Sequence, residues 1–537
     1  MKRLLLFAGV VMIVYSGHLR AGKGSILTPS RFTTKSIVQD DSTVLSGLQS
    51  NVIVEIRTQG DHLVWLATGD GLSQMRDSLT AKTLPSSEKL TAGETVTKLP
   101  AGGITAMATA GADTLLVSVV TSIEEVTSGG GLALTYNSQD TSKVSWLIFD
   151  QPVDSSADST LSWGGKTLKA LPVTVSQQNV TYDLASSDDY FWIASWAGGL
   201  RRLSRTAVSS GWKRVPLPAD NMSQMLCDDQ YQDYELNPRD PPDGNHNHKA
   251  FSVIAYGDTV WVGTAYGINR GIVDATGCVD WEHYSFPLNG ISGNWVVGLA
   301  RQKTKGRRII WAVTRVADTG GESGISYTED DGLSWHTVPL LRGEWGYNVS
   351  TRDSLVYIST RNGLWKSNDG VNFALFKPAI DAVNNDQILD NDVYAALHDK
   401  RSYYNGGALW IGTGDGLARS PQPGSSESVW RIFRSYVASN TPYAYPNPFS
   451  PTVHNILDGD GYVRFLYKSK KSRDIKLTVM NFAMEEVTML EYHRGQGEGA
   501  LKWDGRDSAG NLVSNGVYFC NLYFDDQSHW VKLVVFK

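Results

Sequence analysis

The chain has 537 residues, of which 52 are glycine and 17 are tryptophan; 19% are charged, and the formal net charge is −6. This length is ample for one large domain plus a smaller one, and abundant glycine and aromatic residues favour an all-β protein. No basic block interrupts the sequence. The composition therefore argues against a nucleic-acid-binding surface.

The first segment has the pattern of an export signal. Lys2 and Arg3 precede an apolar run over residues 4–15, and small residues follow it. This order predicts a secretory signal peptide over residues 1–22, too short to span a bilayer. A buried first strand is the alternative. No later stretch approaches about 18 apolar residues, so we expect a secreted or cell-surface protein with no transmembrane segment in the mature chain.

An aromatic phrase recurs through the next part of the chain. Each copy is an apolar run that stops at a small residue and a glycine turn, and an alternating phrase ending in a tight turn precedes it, as in a hairpin. Units of about 40–50 residues with four strands each are typical of propeller blades. We therefore predict a seven-bladed β-propeller over residues 31–436. The copies begin at Leu63, Phe191, Thr259, Leu355 and Ala408, with two weaker ones at Thr114 and Ile309.

Residues 31–38 (RFTTKSIV) resemble a strand that has no partner nearby in the sequence. An open ring of sheets would leave edges exposed. One hypothesis is that this segment docks near the last blade and helps to close the ring. The other is that it is a mobile leader left after signal cleavage.

The residues that follow each W-[IVL]-x-T strand vary from copy to copy. Because the copies are equivalent, these residues should lie at comparable turns at one end of the propeller, where ligands bind. They could form a ring of polar and aromatic groups that binds a glycan or a peptide, or they could simply fill turns. The candidates are Asp70, Trp196, Tyr266, Arg361, Asn362 and Asp415.

The phrase TEDDGLSW fits an Asp-box turn at every fixed position. In such a turn the Asp side chain accepts hydrogen bonds from turn amides, the Gly takes an unusual φ and the aromatic ring packs beneath. We therefore interpret this segment as structural rather than ligand-binding. Its residues are Thr328, Asp330, Gly332, Ser334 and Trp335.

An acidic, proline-bearing insertion covers residues 220–248 and has no strand period. We expect a solvated loop here, with a cation site as the weaker alternative; no cofactor is predicted. Cys227 and Cys278 could pair after export, whereas Cys520 fits a buried free thiol. The candidate metal ligands are Asp228, Asp229, Asp233, His246 and His248.

After a linker over residues 437–442, six or seven short alternating strands predict an immunoglobulin-like β-sandwich over residues 443–537. The phrases YPNPF, WDGRDSAGNLVSNGVYF and the terminal WVKLVVFK resemble the FlgD-like immunoglobulin domain and the related C-terminal sorting domains of type IX secretion cargo. Asn481-Phe482-Ala483 departs mildly from that pattern. The sorting version implies passage across an outer membrane and surface attachment or release, whereas the FlgD-like version implies a spacer.

Two blade phrases, VWVGTAYGI and LWIGTGDGL, resemble two-component-regulator propellers. That resemblance implies a sensory or ligand-binding role and brings no catalytic residues. No GxSxG, P-loop or HExxH motif is present. We therefore favour a non-enzymatic propeller that binds a glycan, peptide or protein ligand, with a C-terminal domain for sorting or attachment. An extracellular glycan hydrolase, and an accessory protein of the secretion or surface-assembly machinery, remain as alternatives.

Overall fold

The structure is a computed structural model, and it confirms the all-β prediction. The predictions for residues 1–22 and 31–38 lie outside the residues that it describes. Within the described residues no helix is long and apolar enough to cross a membrane; the helices are 3₁₀ turns at Val208–Ser210, His246–His248, Pro339–Leu341 and Ser402–Tyr404. The described residues are 45–76, 79–123, 126–140, 144–229, 234–237, 245–304, 306–317, 320–376, 379–381, 386–421, 430–435, 441–455, 460–469, 473–494 and 497–537.

Seven antiparallel sheets follow one another along the described chain, and each contains four strands that pair in sequence order. We number them sheet 1 to sheet 7 and call the first strand of each its inner strand. Sheet 1 has strands Ile53–Gln59, Leu63–Thr68, Leu72–Met75 and Ala81–Thr83; sheet 2 has Gly103–Ala110, Thr114–Ile123, Val126–Thr135 and Trp146–Phe149; sheet 3 has Thr181–Ser186, Tyr190–Ser195, Gly199–Ser204 and Lys213–Val215.

The other four sheets repeat this plan. Sheet 4 has strands Ala250–Tyr256, Thr259–Thr264, Gly267–Val273 and Val279–Tyr284; sheet 5 has Trp295–Thr304, Arg307–Arg315, Gly324–Thr328 and His336–Thr337; sheet 6 has Gly346–Arg352, Leu355–Thr360, Gly363–Ser367 and Phe373–Phe376; sheet 7 has Val393–Asp399, Ala408–Thr413, Gly416–Arg419 and Arg431–Phe433.

The inner strands form a ring. Each contacts the inner strand of the next sheet, and that of sheet 7 contacts that of sheet 1. The repeated aromatic residues lie on the second strands and are buried between sheets, where large rings contribute most of the apolar area. This is a propeller-like arrangement. The buried residues at the repeat position are Trp65, Leu116, Trp192, Trp261, Trp311, Tyr357 and Trp410.

Short strands extend this framework. Leu45–Ser46, Thr95–Val96 and Gln224–Met225 add a fifth strand to the outer edges of sheets 1, 2 and 4. Three small sheets lie outside the repeat: Thr160–Trp163 with Lys166–Ala170 and Glu235–Leu236; Ile380–Asp381 with Asp386–Gln387; and Ser86–Ser87 with Leu99–Pro100.

Among the described residues sheets 7 and 1 share no strand; side chains and a hydrogen bond from the Gly416 amide to the Asn51 carbonyl join them. The Nη1 atom of Arg401 lies within 3.0 Å of the carbonyl oxygens of Gln59, Gly60 and Leu63. The Tyr404 hydroxyl donates a hydrogen bond to the carbonyl of His62 at 3.2 Å. The ring is therefore closed at one side by a guanidinium that binds the first turn of sheet 1.

The insertion at 220–248 differs from the expected solvated loop. Its strand Gln224–Met225 pairs with the outer strand of sheet 4, and Glu235–Leu236 pairs in parallel with Lys166–Ala170. A disulfide links Cys227 to Cys278, next to sheet 4. The partners of these strands are distant in the sequence, so no local alternation of apolar and polar residues predicted them. Cys520 is buried and free.

The C-terminal part contains two antiparallel sheets that share one core. The first has strands Tyr443–Tyr445, Val463–Ser469 and Gly497–Trp503; the second has Arg473–Met480, Glu486–Arg494, Gly516–Phe524 and Gln527–Val535. Alternate side chains from both sheets meet in this core, as in face-to-face sheet packing. Core residues include Phe465, Leu477, Trp503, Cys520 and Leu533.

Candidate functional site at the channel mouth

A channel runs through the middle of the ring. Its volume is about 370 Å³, and all seven inner strands contribute to its wall. The inner strands begin at the same end as the turns between second and third strands, because consecutive antiparallel strands reverse direction. We call this end the mouth. The turn residues predicted from the sequence therefore lie at the mouth.

A threonine explains the turn that is repeated at the mouth. The Thr413 hydroxyl donates a hydrogen bond to the carbonyl of Gly416 at 2.8 Å and accepts one from the Asp415 amide at 3.0 Å. Thr68, Thr264 and Thr360 close their turns in the same way. Gly416 has φ +115, and a Cβ there would lie 2.7 Å from a backbone oxygen of Phe433. The motif thus holds a fixed turn that displays its variable residues.

Each inner strand carries a β-bulge close to its first residue. In sheet 6, for example, Gly346 and Asn348 pair with successive residues of the second strand, which leaves Tyr347 as the extra residue. A bulge re-aims a side chain out of the regular pleat. The equivalent extra residues in sheets 3, 4, 6 and 7 are aromatic: Tyr182, Phe251, Tyr347 and Tyr394. Three of them, all tyrosines, line the channel.

Trp196 belongs to an aromatic cluster on one side of the mouth. Its ring lies 5.2 Å from Phe251 at an angle of 31°, and 5.8 Å from Trp295. The Lys249 ammonium lies 4.9 Å from the Trp196 ring centroid. The predicted residue is therefore half-buried and packed against its neighbours, with little of its ring free to stack on a ligand.

Arg361 belongs to a second cluster that mixes cations and rings. The guanidinium carbons of Arg361 and Arg315 lie 5.1 and 4.7 Å from the centroid of Trp345. Arg315 also lies 5.1 Å from Tyr347, which packs edge-on against Tyr394 at 4.9 Å. Burial raises the pKa of Tyr347 to about 12. This cluster combines positive charge with the tyrosines of the channel wall.

Two carboxylates of the channel wall support neighbouring sheets. Glu55 accepts a hydrogen bond from the Met107 amide at 2.7 Å, and Asp183 accepts one from the Val253 amide at 2.8 Å. Burial, together with the charge of Glu55, raises the pKa of Asp183 to about 7; burial also raises the pKa of Glu55. Both groups satisfy backbone donors of the next sheet.

Three other predicted turn residues are tied to the protein in different ways. Asp70 is half-buried in its turn, and Asn362 donates a hydrogen bond to Glu344 at 3.1 Å. The ring of Tyr266 lies 6.0 Å from His283, which is buried and hydrogen-bonds the Tyr266 carbonyl. None of these three belongs to the two mouth clusters described above.

Asp415 lies at the contact with the C-terminal part. It is 7% exposed, and its carboxylate pairs with Arg464 of that part and, at 3.2 Å, with Arg434. Arg464 also donates to the carbonyl of Gln387 at 2.8 Å. The described contacts of this carboxylate are therefore with two arginines, one from each part of the molecule, and with the Leu389 amide.

The TEDDGLSW turn is closed by its own side chains. The Asp330 carboxylate accepts hydrogen bonds from the Ser334 hydroxyl at 2.5 Å, from the Ser334 amide at 2.9 Å and from the Thr328 hydroxyl at 2.8 Å. These bonds lower the pKa of Asp330 to about 2. Gly332 has φ +101, and Trp335 is buried beneath the turn.

The candidate metal ligands do not converge. No group of three or more His, Cys, Asp or Glu side chains suited to a metal occurs among the described residues. Asp228 is exposed, whereas His248 is buried, and burial keeps the pKa of His248 well below its usual value. Asp233 lies outside the described residues.

Sequence reasoning missed several residues of the mouth, although signals for them existed. Arg315 directly follows Thr314, just as Arg361 follows Thr360 and Trp196 follows Ser195. The bulge aromatics recur near the start of the phrases VTYDL, AFSVI, GYNVS and VYAAL. Aligning the inner-strand phrases column by column would have found them.

No family model matches the chain. No curated protein sequence matches it either. Among solved structures, the chain is similar to PorZ, an essential surface component of the type-IX secretion system of Porphyromonas gingivalis, at 13% identity and a TM-score of 0.30. The similarity covers 89% of this chain and 64% of that one. The chain thus spans less than two thirds of the length of PorZ.

Two further structural similarities cover most of this chain. An ancestral GH74 enzyme matches at 12% identity and a TM-score of 0.44, covering 71% of this chain and 49% of that one. The WD40 β-propeller domain of Doa1 matches at 12% identity and a TM-score of 0.39, covering 70% and 95%. These scores are low, so none of these similarities assigns a function to the chain.

Proposed function

We propose that the protein is a non-enzymatic binding protein that captures a peptide or glycan ligand at the mouth of the channel. In this proposal the seven repeat sheets are the blades of one propeller. Residues 443–537 form an immunoglobulin-like sandwich for sorting or surface attachment. Residues 1–22 direct export, which gives a secreted or cell-surface location.

The bulge aromatics carry the proposal. Tyr347 and Tyr394 pack together at the channel wall, and Tyr182 joins them from sheet 3. Regular antiparallel pairing would not need a bulge here, yet one occurs near the start of every inner strand. Amphipathic tyrosine side chains around a cavity are typical of ligand sites, because they combine apolar area with a hydroxyl group.

The geometry of the channel favours binding over hydrolysis. A glycosidase needs one carboxylic acid and one carboxylate that reach the scissile bond of the sugar. Glu55 and Asp183 are acidic groups of the channel wall, but each accepts a backbone amide hydrogen bond from the next sheet. Glu55 is also paired with Arg57 at 2.5 Å. We therefore assign these carboxylates to the framework.

Peptide and glycan arrays probed with the purified full chain test the proposal. The double variant Tyr347→Ala/Tyr394→Ala should lose about tenfold or more in affinity for any ligand found. Tyr523→Ala, which removes an exposed tyrosine of the C-terminal part, is the matched control. Equal binding by all three proteins, or ligand cleavage that depends on Asp183, would reject the proposal.

The export and sorting roles have a separate test. Mass spectrometry of surface and medium fractions should find a chain that begins after the leader, and should show whether residues 443–537 are retained or removed. A chain found only inside the cell with an intact leader would contradict the proposed location.

A further inference from the structure

Arg315 is a buried cation that has no carboxylate partner among the described residues. It is 1% exposed, and its Nε donates a hydrogen bond to the Gly346 carbonyl at 3.0 Å. Its Nη2 atom has no hydrogen-bond partner among the described residues, and no described carboxylate oxygen lies within 4.0 Å of the guanidinium. An uncompensated buried charge is costly, so its presence calls for a compensating group.

A second cation lies against the same ring. The exposed Arg361 side chain lies over Trp345, and it too has no carboxylate within 4.0 Å in the described part of the chain. Asp392 interacts electrostatically with Arg315 but forms no ion pair with it within 4.0 Å. The Asp392 carboxylate lies 3.5 Å from the Tyr394 hydroxyl. Two guanidiniums thus share one indole without an anion between them.

We propose that Arg315 and Arg361 form a carboxylate-binding subsite for an acidic peptide segment; this rests on the proposed function of the channel mouth. Guanidinium groups bind carboxylates through paired, directional N–H donors. Arg361 is exposed and makes the first contact. The Nη2 atom of Arg315, which has no described partner, supplies the second donor when ligand binding exposes it. Trp345 and Tyr347 hold both cations in place.

The aromatic faces at the mouth favour a peptide over a saccharide. A sugar ring needs a free aromatic face to stack on. Lys249 and Phe251 pack against the Trp196 ring, and the two guanidiniums cover the Trp345 ring. The described contacts therefore leave charge recognition, rather than ring stacking, as the main attraction.

The charge of the channel also favours an acidic ligand. Five basic side chains line it against three acidic ones, and two of the five, Arg57 and Arg401, are paired with Glu55 and Asp399; the others are Arg301, Arg352 and Lys400 against Asp183. The whole chain carries a net charge of −6, so the channel is positive against a negative background. Complementary charge speeds the encounter with an acidic partner and selects against other partners.

Binding of hexaglutamate to the full chain, measured by titration calorimetry, tests the inference. Wild type should bind it, binding should weaken as salt is added, and Arg361→Ala should weaken it about tenfold. Arg315→Gln should have a similar effect. Arg308→Ala removes an exposed arginine of sheet 5 that does not line the channel and should leave affinity unchanged. Thermal unfolding of each variant checks its folding, and Arg361→Ala carries the test if Arg315→Gln does not fold.

Three results would overturn the inference. Wild type could fail to bind hexaglutamate, Arg361→Ala could bind as well as wild type, or hexagalacturonate could bind more tightly with the same arginine dependence. If the arrays find a ligand that needs Tyr347 and Tyr394 but not Arg361, the proposed function stands and this inference falls. If no ligand depends on those tyrosines, the proposed function itself fails.

Discussion

The Nη2 atom of Arg401 lies 2.6 Å from Oδ2 of Asp399, and this ion pair orients a guanidinium that reaches from sheet 7 to sheet 1. Asp399, the last residue of the sheet 7 inner strand, is 2% exposed. The arginine it orients reaches three carbonyl oxygens in the first hairpin of sheet 1. This guanidinium thus adds polar contacts to the apolar core that sheets 1 and 7 share.

Arg401→Ala should lower the free energy of unfolding by about 3 kcal/mol, because it leaves a buried carboxylate unpaired. Urea unfolding followed by tryptophan fluorescence measures this. The control is Arg352→Ala, which removes an exposed arginine at the end of the neighbouring inner strand and should stay within about 0.5 kcal/mol of wild type. Equal stability of the two variants would show that closure does not depend on Arg401.

Arg464→Ala should loosen the contact between the C-terminal part and sheet 7. The Leu389 amide donates to Asp415 at 2.6 Å in the same buried network. Loss of a hydrogen bond between charged groups should cost about 2 kcal/mol, so the Leu389 amide should exchange faster with deuterium. Lys532→Ala, at an exposed site of the C-terminal part, is the control. Unchanged protection at Leu389 would contradict this account.

The stability of Asp183→Asn relative to wild type should increase as the pH rises. The pKa of Asp183 is raised from 3.8 to about 7 by burial first and by Glu55 second. Between those pH values the folded protein holds a proton that the unfolded chain releases, so this stabilisation is complete below pH 3.8 and is lost as the pH approaches 7. Asparagine keeps an acceptor for the Val253 amide and does not titrate.

The unfolding midpoints of wild type and Asp183→Asn in urea, compared at pH 4.5, 6 and 8, test this. Between pH 4.5 and pH 8 the free energy of unfolding of the variant should rise relative to that of wild type by on the order of 1 kcal/mol or more. Asp188→Asn, at an exposed turn, should show no such trend. A constant difference across pH would mean that Asp183 stays ionised throughout.

Reduction of the Cys227–Cys278 disulfide should destabilise the protein by about 3 kcal/mol, because it releases a long loop in the unfolded chain. The melting temperature should fall on adding dithiothreitol to wild type but not to Cys227→Ser/Cys278→Ser. Cys520→Ala removes the buried free thiol and should keep the response to reductant. A wild-type melting temperature that ignores reductant would argue against a structural disulfide.

The repeats could be found from the sequence because each buried tryptophan lies in the same local setting. Trp65, Trp261 and Trp410 each precede a threonine by three residues, and that threonine closes its own turn. Local hydrogen bonds of this kind leave a pattern in consecutive residues. The strands within 220–248 left no such pattern, because their partners are distant in the chain.

The site was only partly predictable. Trp196 and Arg361 were found at the mouth, but their surroundings were not, because rings from neighbouring sheets occupy them. Asp415 occupies an equivalent turn, yet an arginine of the C-terminal part binds it. The position of a residue within the repeat predicted that it lies in a turn at the mouth. The neighbouring sheet or domain decided what that turn contacts.

The sequence by itself determined the all-β character, the repeated strand pairs and the threonine-closed turns, because these depend on residues close together in the chain. Only the tertiary structure decided which side chains face the channel. A one-residue bulge turns Tyr347 toward the channel wall, and packing between sheets leaves Arg315 buried beside Trp345, with no carboxylate partner in the part of the chain that the structure describes. Both depend on how neighbouring sheets fit together, and that fit is not encoded in any short segment.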